Sequence, residues 1–328
     1  MRTTIKDVAR QANVSTATVS HVFNNTRYVS EEVAERVRKA AAELGYIQNN
    51  LAKGLRSSES KKIGLLVPNI SNYFSVDIIS DINEVFRENG YQVILGYSYE
   101  DITIEKEQME LFFQEQVDGV IMFPAPGNHS YLSGDKRRVP IVLIDRKAEG
   151  LNADCVMANN EDAVFNTVCQ LIEAGHREIG ILKGKSGISN TEDRILGYKR
   201  ALEKYGVLIN SDLICMGESD SQLAYAETER LLKKGNVTAL MVCSSSMELG
   251  VMKCLMDYGI KVPDEVAVVG LGNGDWTQVT NPPMTVLEHP TDEMSHLAAE
   301  LLLDRIRNGG TDYKEYQLKM KLIRRKSF

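Results

Sequence analysis

Residues 4–25 read TIKDVARQANVSTATVSHVFNN, two short amphipathic segments separated by a polar turn. Apolar residues of the first segment recur at i, i+3, i+4 and i+7, the spacing of one helical face: Ile5, Val8, Ala9 and Ala12. Thr4 precedes this face, and Asp7 stands three residues after Thr4, which is the spacing of a capping box. The pattern therefore predicts a helix that begins directly after Thr4.

The second segment begins at Ser15, a residue type that caps helix N-termini well. A helix from this point would turn Val19, Val22 and Phe23 inward. Its outer face would then hold Thr16, Ala17, Ser20, His21 and Asn24. Joined through the short Asn13–Val14 turn, the two helices predict a helix-turn-helix, whose second helix can lie in the major groove of DNA. Two short helices also occur in many other helical proteins, so this pattern by itself leaves DNA binding and ordinary helical packing open.

The distribution of charge separates the N-terminal part of the chain from the rest. Residues 1–62 contain 11 Lys and Arg against 6 Asp and Glu, a balance of +5. The remainder contains 27 against 39, a balance of −12, and the two add up to the net charge of −7 for the 328 residues. A basic segment on an acidic remainder is typical of a DNA-binding module joined to a domain that does not bind DNA, because phosphate contacts need Lys and Arg.

A third helix is predicted over residues 30–44, with Ser30 as its N-cap and Gly45 placed to cap its C-terminus. A polar stretch follows over residues 48–60, in which three apolar residues share a helical face: Leu51, Ala52 and Leu55. Because this stretch is short and has Gly54 at its centre, we expect it to be helical only when something packs on it.

From Lys62 onward, apolar strand patterns alternate with helical patterns, beginning with Ile63–Val67 and ending with Val266–Gly270. This βαβ alternation predicts parallel sheets that are covered by helices on both faces. The number of units predicts two doubly wound lobes, with a ligand site between the ends of their strands.

Composition and motifs narrow the class of protein. Hydrophobic residues make up 43% and charged residues 25%, ordinary values for a globular protein, and no stretch approaches the ~20 apolar residues of a membrane helix. The N-terminus lacks the apolar core of a signal peptide, so an intracellular, cytoplasmic protein is expected. Five scattered cysteines have no metal-ligand spacing and are expected to be reduced, structural thiols: Cys155, Cys169, Cys215, Cys243 and Cys254.

The sequence carries no nucleophile motif, zinc-protease motif or complete phosphate-binding loop. The triplet Gly184-Lys185-Ser186 lacks the glycine spacing that a phosphate-binding loop has upstream. An enzyme with a DNA-binding head is therefore disfavoured, and neither a catalytic site nor a cofactor is expected.

Over its whole length the chain resembles the LacI (lactose repressor) family of transcriptional regulators. Ten segments in the right order carry the resemblance: TIKDVARQANVSTATVSHVFNN, ELGYIQNNLAKGLRS, KKIGLLVPNISNYF, QVDGVIMF, VPIVLIDR, AGHREIGIL, DRILGYKRAL, VPDEVAVVGLGN, NPPMTVLEHP and LKMKLIRRKSF. The resemblance implies an all-α helix-turn-helix head and an α/β two-lobed body like periplasmic binding proteins, with doubly wound parallel sheets. The implied divisions are a DNA-binding domain over 1–47, a hinge helix and linker over 48–61, and an effector-binding and dimerisation domain over 62–328. Within the last domain, the resemblance implies an N-lobe over about 62–160 plus 291–317 and a C-lobe over about 161–290 plus 318–328.

The head is most similar to that of the purine repressor, in which the recognition helix and the residue after it contact bases. The resemblance places base contacts at Thr16, Ala17, His21 and Arg27, and further DNA contacts at Ser20, Asn24 and Lys53. Ala17 replaces a threonine, so it can contact a thymine methyl group but cannot hydrogen-bond.

Leu55 matches the leucine that family members insert into the minor groove at the operator centre, where an apolar wedge kinks a base step. A linker leucine packed on the body is the alternative. Gln48 stands where the family usually has proline, which implies a looser start of the hinge.

The ligand site departs from the family pattern. The acidic residues that family members use there fall at Ser244–Ser245 and Gly272, so both carboxylates are missing. The implied pocket retains a set of charged, aromatic and hydroxyl side chains, with Trp276 in a nearby loop: Tyr73, Phe74, Phe123, Asp145, Arg146, Arg194 and Ser245. Ile188 matches a base-contacting arginine of the purine repressor, so a purine corepressor is disfavoured.

Because two carboxylates are lost while Arg194, Arg146 and Lys183 remain, we expect a cleft of positive potential and an anionic small-molecule effector, such as a sugar acid or sugar phosphate. The alternative is that the two arginines pair with Asp145 or Asp193 as structural ion pairs.

The resemblance implies a homodimer on a palindromic double-stranded operator, without a membrane partner. No leucine-heptad extension follows LIRRKSF, so a dimer rather than a tetramer is expected. Control by a protein corepressor is the alternative to an effector, but Glu300 stands where the carbon-catabolite regulator of the family has an arginine. Repression is the expected activity, although whether the protein represses or activates depends on where the operator lies relative to the promoter.

Overall fold

The computed structural model describes residues 3–24, 27–46, 59–70, 73–134 and 139–328. The chain divides into two compact units, Met1–Ser60 and Lys61–Phe328, and each is described by itself. Lys53, Leu55 and the expected hinge helix lie outside the described residues. None of the described helices is long and apolar enough to cross a membrane.

The N-terminal unit contains three helices: α1 (Ile5–Ala12), α2 (Thr16–Asn24) and α3 (Glu31–Glu43). Their facing sides are made of valines and alanines, with Val8, Val19 and Val37 fully buried at the centre. These small side chains allow three short helices to approach closely, and tertiary packing supplies the stability that such short helices lack alone. The predicted helix-turn-helix with a third helix is confirmed.

Local hydrogen bonds define where these helices begin and end. The Asp7 carboxylate accepts hydrogen bonds from the Thr4 amide and the Thr4 hydroxyl, at 3.0 and 2.6 Å. Ser15 Oγ accepts a hydrogen bond from the amide of Thr18 at 3.0 Å, and Gly45 ends α3 with a φ of +59°. Ser30 occupies the predicted N-cap of α3, but its side chain makes no capping hydrogen bond.

The C-terminal unit contains two six-stranded sheets. The first sheet has the order β11-β5-β4-β3-β1-β2 and is wholly parallel; the second has the order β12-β10-β9-β8-β6-β7, in which only β12 is antiparallel. The strands are β1 (Lys62–Val67), β2 (Gln92–Tyr97), β3 (Gly119–Met122), β4 (Ile141–Ile144), β5 (Asp154–Ala158), β6 (Ile179–Lys183), β7 (Ile214–Met216), β8 (Ala239–Val242), β9 (Ala267–Leu271), β10 (Thr285–Glu288), β11 (Glu315–Leu318) and β12 (Lys321–Ile323).

Helices cover both faces of each sheet: α4 (Tyr73–Glu88), α5 (Ile102–Gln114), α6 (Asn160–Glu173), α7 (Ser189–Lys204), α8 (Ser221–Lys234), α9 (Ser245–Asp257), the short α10 (Trp276–Val279) and α11 (Thr291–Asn308). Alternate residues of a strand face opposite layers. Leu65 of β1 packs with Ile78 and Leu302 of α4 and α11, whereas the next residue, Leu66, packs with Phe112 of α5. The predicted two-sheet α/β body is confirmed.

The chain passes between the two sheets three times, after β5, after β10 and after β11. The sequence pattern had located neither β5 nor any element beyond β9. These strands are three to five residues long, and β11 finds its partner β5 about 160 residues away in the chain.

Close helix contacts depend on Gly197 and Gly250. A Cβ atom on Gly197 of α7 would collide with the carbonyl oxygen of Glu161 in α6, and one on Gly250 of α9 with that of Ser221 in α8. Glycine at these two positions therefore lets each pair of helices touch through its backbones. The first contact brings Arg194, one turn before Gly197, to the beginning of α6.

Glu248 of α9 is fully buried in the C-terminal unit. Its Oε1 accepts a hydrogen bond from the amide of Leu271 at 2.5 Å, and its Oε2 has no partner among the described residues. Burial raises the pKa of Glu248 well above the ordinary value, because a charged carboxylate is poorly solvated there.

We predict that Glu248→Gln reduces the pH dependence of stability. A carboxyl group whose pKa is raised in the folded state stabilises the fold fully only below its unfolded value of 4.5, and that stability is lost as the pH rises toward the folded pKa. The loss is about 1.4 kcal/mol for each pKa unit. Thermal melts at pH 5 and pH 8 should show a smaller fall in Tm for the variant than for the unmodified protein. Equal falls would contradict this account.

Candidate DNA-binding helix and interlobe cavity

The outer face of α2 carries the side chains that the sequence singled out. Thr16 and Ala17 are exposed at its first turn, Ser20, His21 and Asn24 are half-buried along it, and Arg27 is exposed beyond its end. The opposite face is closed by Val19 and Val22 against the other two helices. A row of small residues at the N-terminal half of the helix offers no steric obstacle to close approach of a nucleic-acid groove.

Tyr28 is an exposed aromatic residue to which the sequence pattern does not point. It is 95% exposed directly after Arg27. Its exposure could not be read from periodicity because it lies outside the helices.

A cavity of about 430 Å³ lies between the two sheets of the C-terminal unit. Seven of its lining residues stand at or just beyond the carboxyl ends of strands: Pro68, Phe123, Asp145, Gly184, Ser244, Leu271 and His289. In parallel α/β sheets this edge is the usual place for ligands, because the strand ends leave a crevice between them.

The cavity brings together six of the residues expected in the pocket: Phe74, Phe123, Asp145, Arg146, Arg194 and Ser245. Tyr73 and Trp276 are not among its lining residues. Tyr73 instead packs its ring against the backbone of Gly274, and Trp276 packs against the core of the second sheet. Lys183 donates to the Ser186 hydroxyl, while Lys185 lines the cavity in its place.

Arg194 is buried, and the hydrogen-bond partners of its guanidinium are neutral groups. Nε donates to Asn160 Oδ1 at 2.8 Å, one terminal nitrogen donates to the Cys243 carbonyl oxygen at 2.9 Å, and the other lies 3.4 Å from His289 Nε2. Burial lowers the pKa of Arg194 from its usual value. Dipoles thus engage three of its five N–H groups, the charge of Asp145 partly offsets the effect of burial, and the other two N–H groups have no hydrogen-bond partner among the described residues.

Asp145 and Arg146 form a different arrangement. Asp145 Oδ2 accepts hydrogen bonds from Asn190 Nδ2 at 2.7 Å and from Arg146 Nε at 3.2 Å. Arg146 also donates to the Glu100 carboxylate at 3.2 Å. The alternative of a structural ion pair therefore holds for Arg146, whereas no described ion pair includes Arg194.

The lining as a whole is not positive, and that expectation was wrong. Its cations are Arg146, Lys185 and Arg194, and its carboxylates are Glu100, Asp145, Glu218 and Asp220. Three of these carboxylates belong to loops that follow strands β2 and β7, and no sequence motif marks those loops.

An aromatic wall closes one side of the cavity. The ring centroids of Phe74 and His289 are 4.6 Å apart, and those of Phe74 and Phe123 are 6.0 Å apart. Burial, and next the charge of Arg194, lower the pKa of His289 to about 3, so its imidazole is neutral at physiological pH.

Four polar residues of the cavity and its surroundings are not predicted from the sequence: His289, Asn160, Asn190 and Glu100. His289 directly follows β10 and Asn160 lies two residues after β5. Had those two strands been predicted, the rule that ligand residues follow parallel strands would have identified both side chains.

Comparison with known proteins agrees with this architecture. Residues 4–49 match the model of bacterial regulatory proteins of the lacI family, and residues 168–328 match a periplasmic binding protein-like domain. The chain is 30% identical to the ribose operon repressor of Haemophilus influenzae, covering 99% of this chain and 98% of that one. It is 32% identical to the HTH-type transcriptional repressor PurR of Vibrio parahaemolyticus, covering 98% and 97%. A solved transcriptional regulator CelR–cellobiose complex superposes with a TM-score of 0.74 at 27% identity, covering both chains fully.

A helix-turn-helix unit followed by a two-sheet body with a cavity at its strand ends defines a ligand-responsive class of DNA-binding regulator. The chain belongs to the LacI family, and its relatives are transcriptional repressors rather than enzymes.

Proposed function

We propose that this repressor binds a palindromic operator as a homodimer and is controlled by a small molecule in the cavity between its lobes. The observation that carries the proposal is the buried Arg194 cation, which has neutral partners and faces a 430 Å³ cavity. An arginine with a purely structural role pairs with a carboxylate and needs no cavity. A buried arginine without an ion-pair partner that lines a cavity is instead suited to bind a ligand.

We assign residues 1–47 to DNA binding, 48–61 to a hinge and 62–328 to effector binding and dimerisation. Within the last, the first sheet with α4, α5 and α11 forms the N-lobe, and the second sheet with α6 to α10 forms the C-lobe. Membership of the strands supports boundaries near 160, 290 and 318, where the chain leaves one sheet for the other.

DNA contacts are assigned to the outer face of α2 and to the segment after it. Thr16 and Ala17 would contact base edges near the start of the helix, and Arg27 would contact a base beyond its end. The remaining proposed contacts are Ser20, His21 and Asn24 in the major groove, and Lys53 and Leu55 at the operator centre. The alanine methyl at position 17 favours a thymine methyl as its partner.

The effector is proposed to be anionic, because an anion adds the attraction of opposite charges to hydrogen bonds with the two remaining N–H groups of Arg194. A neutral sugar is the second candidate. It is favoured by the four carboxylates of the lining and by the aromatic wall formed by Phe74 and Phe123. A protein corepressor in place of a metabolite stays the weaker alternative, because Glu300 stands where the carbon-catabolite regulator of the family has an arginine. The groove between α4 and α11 around Glu300 also holds both carboxylates and the cation Arg307, so it is not a basic surface.

The dimer is proposed to use an apolar stripe on α9. Leu249, Met252 and Met256 stand at i, i+3 and i+7, and Leu249 and Met256 are 57% and 72% exposed. A palindromic operator needs two heads related by a two-fold axis, and such an axis lets one exposed stripe pair with its own copy.

We predict that Arg27→Ala weakens binding to an operator obtained by in vitro selection by about 5- to 150-fold, the range for loss of one good base contact. Fluorescence anisotropy with a labelled duplex would measure the affinity. Arg38→Ala is the matched control, because Arg38 lies in α3 and its guanidinium pairs with Glu31 at 2.8 Å. Similar losses in both variants would mean that Arg27 makes no base contact.

We predict that an anionic sugar derivative binds at least about 10-fold more tightly than its neutral parent, the contribution of a hydrogen bond to a charged group. Calorimetry would compare matched pairs: glucose with glucuronate, galactose with galacturonate, and ribose with ribose 5-phosphate. Arg194→Gln should abolish the preference, whereas Arg200→Gln should keep it, because Arg200 is half-exposed on the same helix and pairs with Glu161. Tight binding of a neutral sugar alone would favour the second candidate.

We predict that the double variant Leu249→Glu/Met256→Glu is monomeric in sedimentation velocity at concentrations where the unmodified protein is a dimer. Two carboxylates on each copy would face each other in a desolvated interface. Leu208→Glu controls for the loss of an exposed leucine, since Leu208 is 91% exposed in a loop. A double variant that stays dimeric would place the interface elsewhere.

A further inference from the structure

We infer that Glu248 is a proton-dependent hydrogen-bond acceptor that joins α9 to β9: in its neutral form it binds the amide of Leu271, and loss of its proton as the pH rises loosens the end of β9 together with α9. The further step, from α9 to the association of two copies, rests on the dimer of the proposed function.

The amide of Leu271 points to the side of β9 on which β8 lies. Along a strand inside a parallel sheet, successive amides donate alternately to the two neighbouring strands. The amide of Ala267 donates to the carbonyl oxygen of Thr238, directly before β8, at 2.9 Å. The amide of Gly272 donates to the carbonyl oxygen of Leu287 in β10, also at 2.9 Å. Leu271 has the parity of Ala267, so its amide faces β8.

Strand β8 does not reach far enough to accept this hydrogen bond. Its pairing with β9 ends at Met241 and Val269, because the chain then leaves the sheet and turns into α9. Glu248 Oε1 accepts the hydrogen bond of the Leu271 amide instead, at 2.5 Å. A Cβ atom on Gly270 would collide with the same oxygen, so glycine at this position of β9 leaves room for the carboxyl group. One side chain thus replaces a missing strand partner.

The carboxyl group of Glu248 is suited to be neutral. It is fully buried, it has one hydrogen-bond donor, and its Oε2 has no partner among the described residues. Burial therefore raises its pKa well above the ordinary value. The partial positive charge at the start of α9 favours the anion, but by less than the desolvation of a buried charge disfavours it.

The charged groups around Glu248 do not supply a cation for it. Strands β8 and β9 contain no ionisable residue. On the two helices, Asp220 caps α8 and the other ionisable side chains with a described ion pair have partners elsewhere: Lys253 with Asp257 on α9, and Arg230 with Glu227, Lys233 with Glu229 and Lys234 with Asp212 on or beside α8. Among the described residues, no charge shifts the pKa of Glu248.

Ionisation of Glu248 has consequences along α9. Its neighbours Met247 and Val251 are fully buried in the apolar core of the second sheet, so a charge at position 248 can be hydrated only if the contact between α9 and β9 opens. The proton then passes to water. The opposite face of α9 carries the exposed Leu249 and Met256, which must be held in place to pair with a second copy.

Hydrogen exchange of the Leu271 amide tests this acceptor without any ligand. Full-length protein and Glu248→Gln would be compared between pH 5 and pH 8, and exchange rates divided by those of an unstructured peptide give the opening constant. Because opening releases one proton, the constant should rise by up to about 10-fold per pH unit until the folded pKa of Glu248 is reached. In Glu248→Gln, which keeps an acceptor oxygen but has no proton to lose, it should stay level. The control is the amide of Phe123, which donates to Leu66 in the first sheet at 3.0 Å.

Equal slopes for Leu271 in the unmodified protein and in Glu248→Gln would overturn the inference. Glu248→Ala adds a second test, because it removes the acceptor: the Leu271 amide should exchange faster at every pH, without the slope. If Glu248→Ala does not fold, the comparison with Glu248→Gln decides alone.

Sedimentation velocity over the same pH range tests the step to the dimer. The dimer dissociation constant of the unmodified protein should rise with pH, by at most about 10-fold per unit, and that of Glu248→Gln should rise less. Glu203→Gln is the matched control, because Glu203 is exposed on α7, and it should follow the unmodified protein.

The outcomes separate this inference from the proposed function. If Leu271 shows the slope but the dimers of the unmodified protein and of Glu248→Gln respond to pH alike, the step from α9 to the second copy is refuted and the acceptor role stands. If the double variant Leu249→Glu/Met256→Glu stays dimeric, the proposed interface fails, whereas the exchange of Leu271 still decides the role of Glu248.

Discussion

The burial of one positive charge, that of Arg194, is the constraint on which the ligand site depends. A desolvated guanidinium needs hydrogen-bond acceptors on several sides, and here Asn160, Cys243 and His289 provide them at the ends of three different strands. Gly197 makes this possible, since only glycine lets α7 touch α6 closely enough. The cation therefore fixes the geometry of its neighbours. Two of its five N–H groups have no hydrogen-bond partner among the described residues, and these are the donors proposed for a ligand.

The same cavity offers a physical route to regulation. Two hydrogen bonds already join the two sides of this unit: the one from Asn190 to Asp145 lies in the cavity lining, and the one from the amide of Lys147 to the hydroxyl of Ser189 lies outside it. A ligand that contacts both lobes changes the balance between closed and open arrangements only by its difference in affinity for the two. Asp145 of the first sheet and Arg194 of α7 line the cavity from its two sides, so a ligand that contacts both would act in this way. Asp145 directly follows β4, and its backbone is held at a φ of +73°.

Prediction from sequence succeeded where a signal is local. The capping residues Thr4 and Ser15 and the apolar periodicity identified α1 and α2, and the strand–helix alternation identified every strand as far as β9 except β5. It failed for β10 to β12, because strands of three or four residues carry too little periodicity and depend on partners far away in the chain. The error about the charge of the cavity has the same origin, since Glu100 and Glu218 enter it from loops that no motif marks.

The sequence by itself therefore determined the class of the protein: the helix-turn-helix, its basic charge, the α/β body, and a retained arginine at position 194. Only the tertiary structure decided which groups surround that arginine. Its partners Asn160, Cys243 and His289 lie 34, 49 and 95 residues away, so no local pattern relates them. Whether a side chain is a structural ion pair or a ligand donor depends on which groups share its desolvated surroundings, and that is fixed only when the sheets and helices have packed.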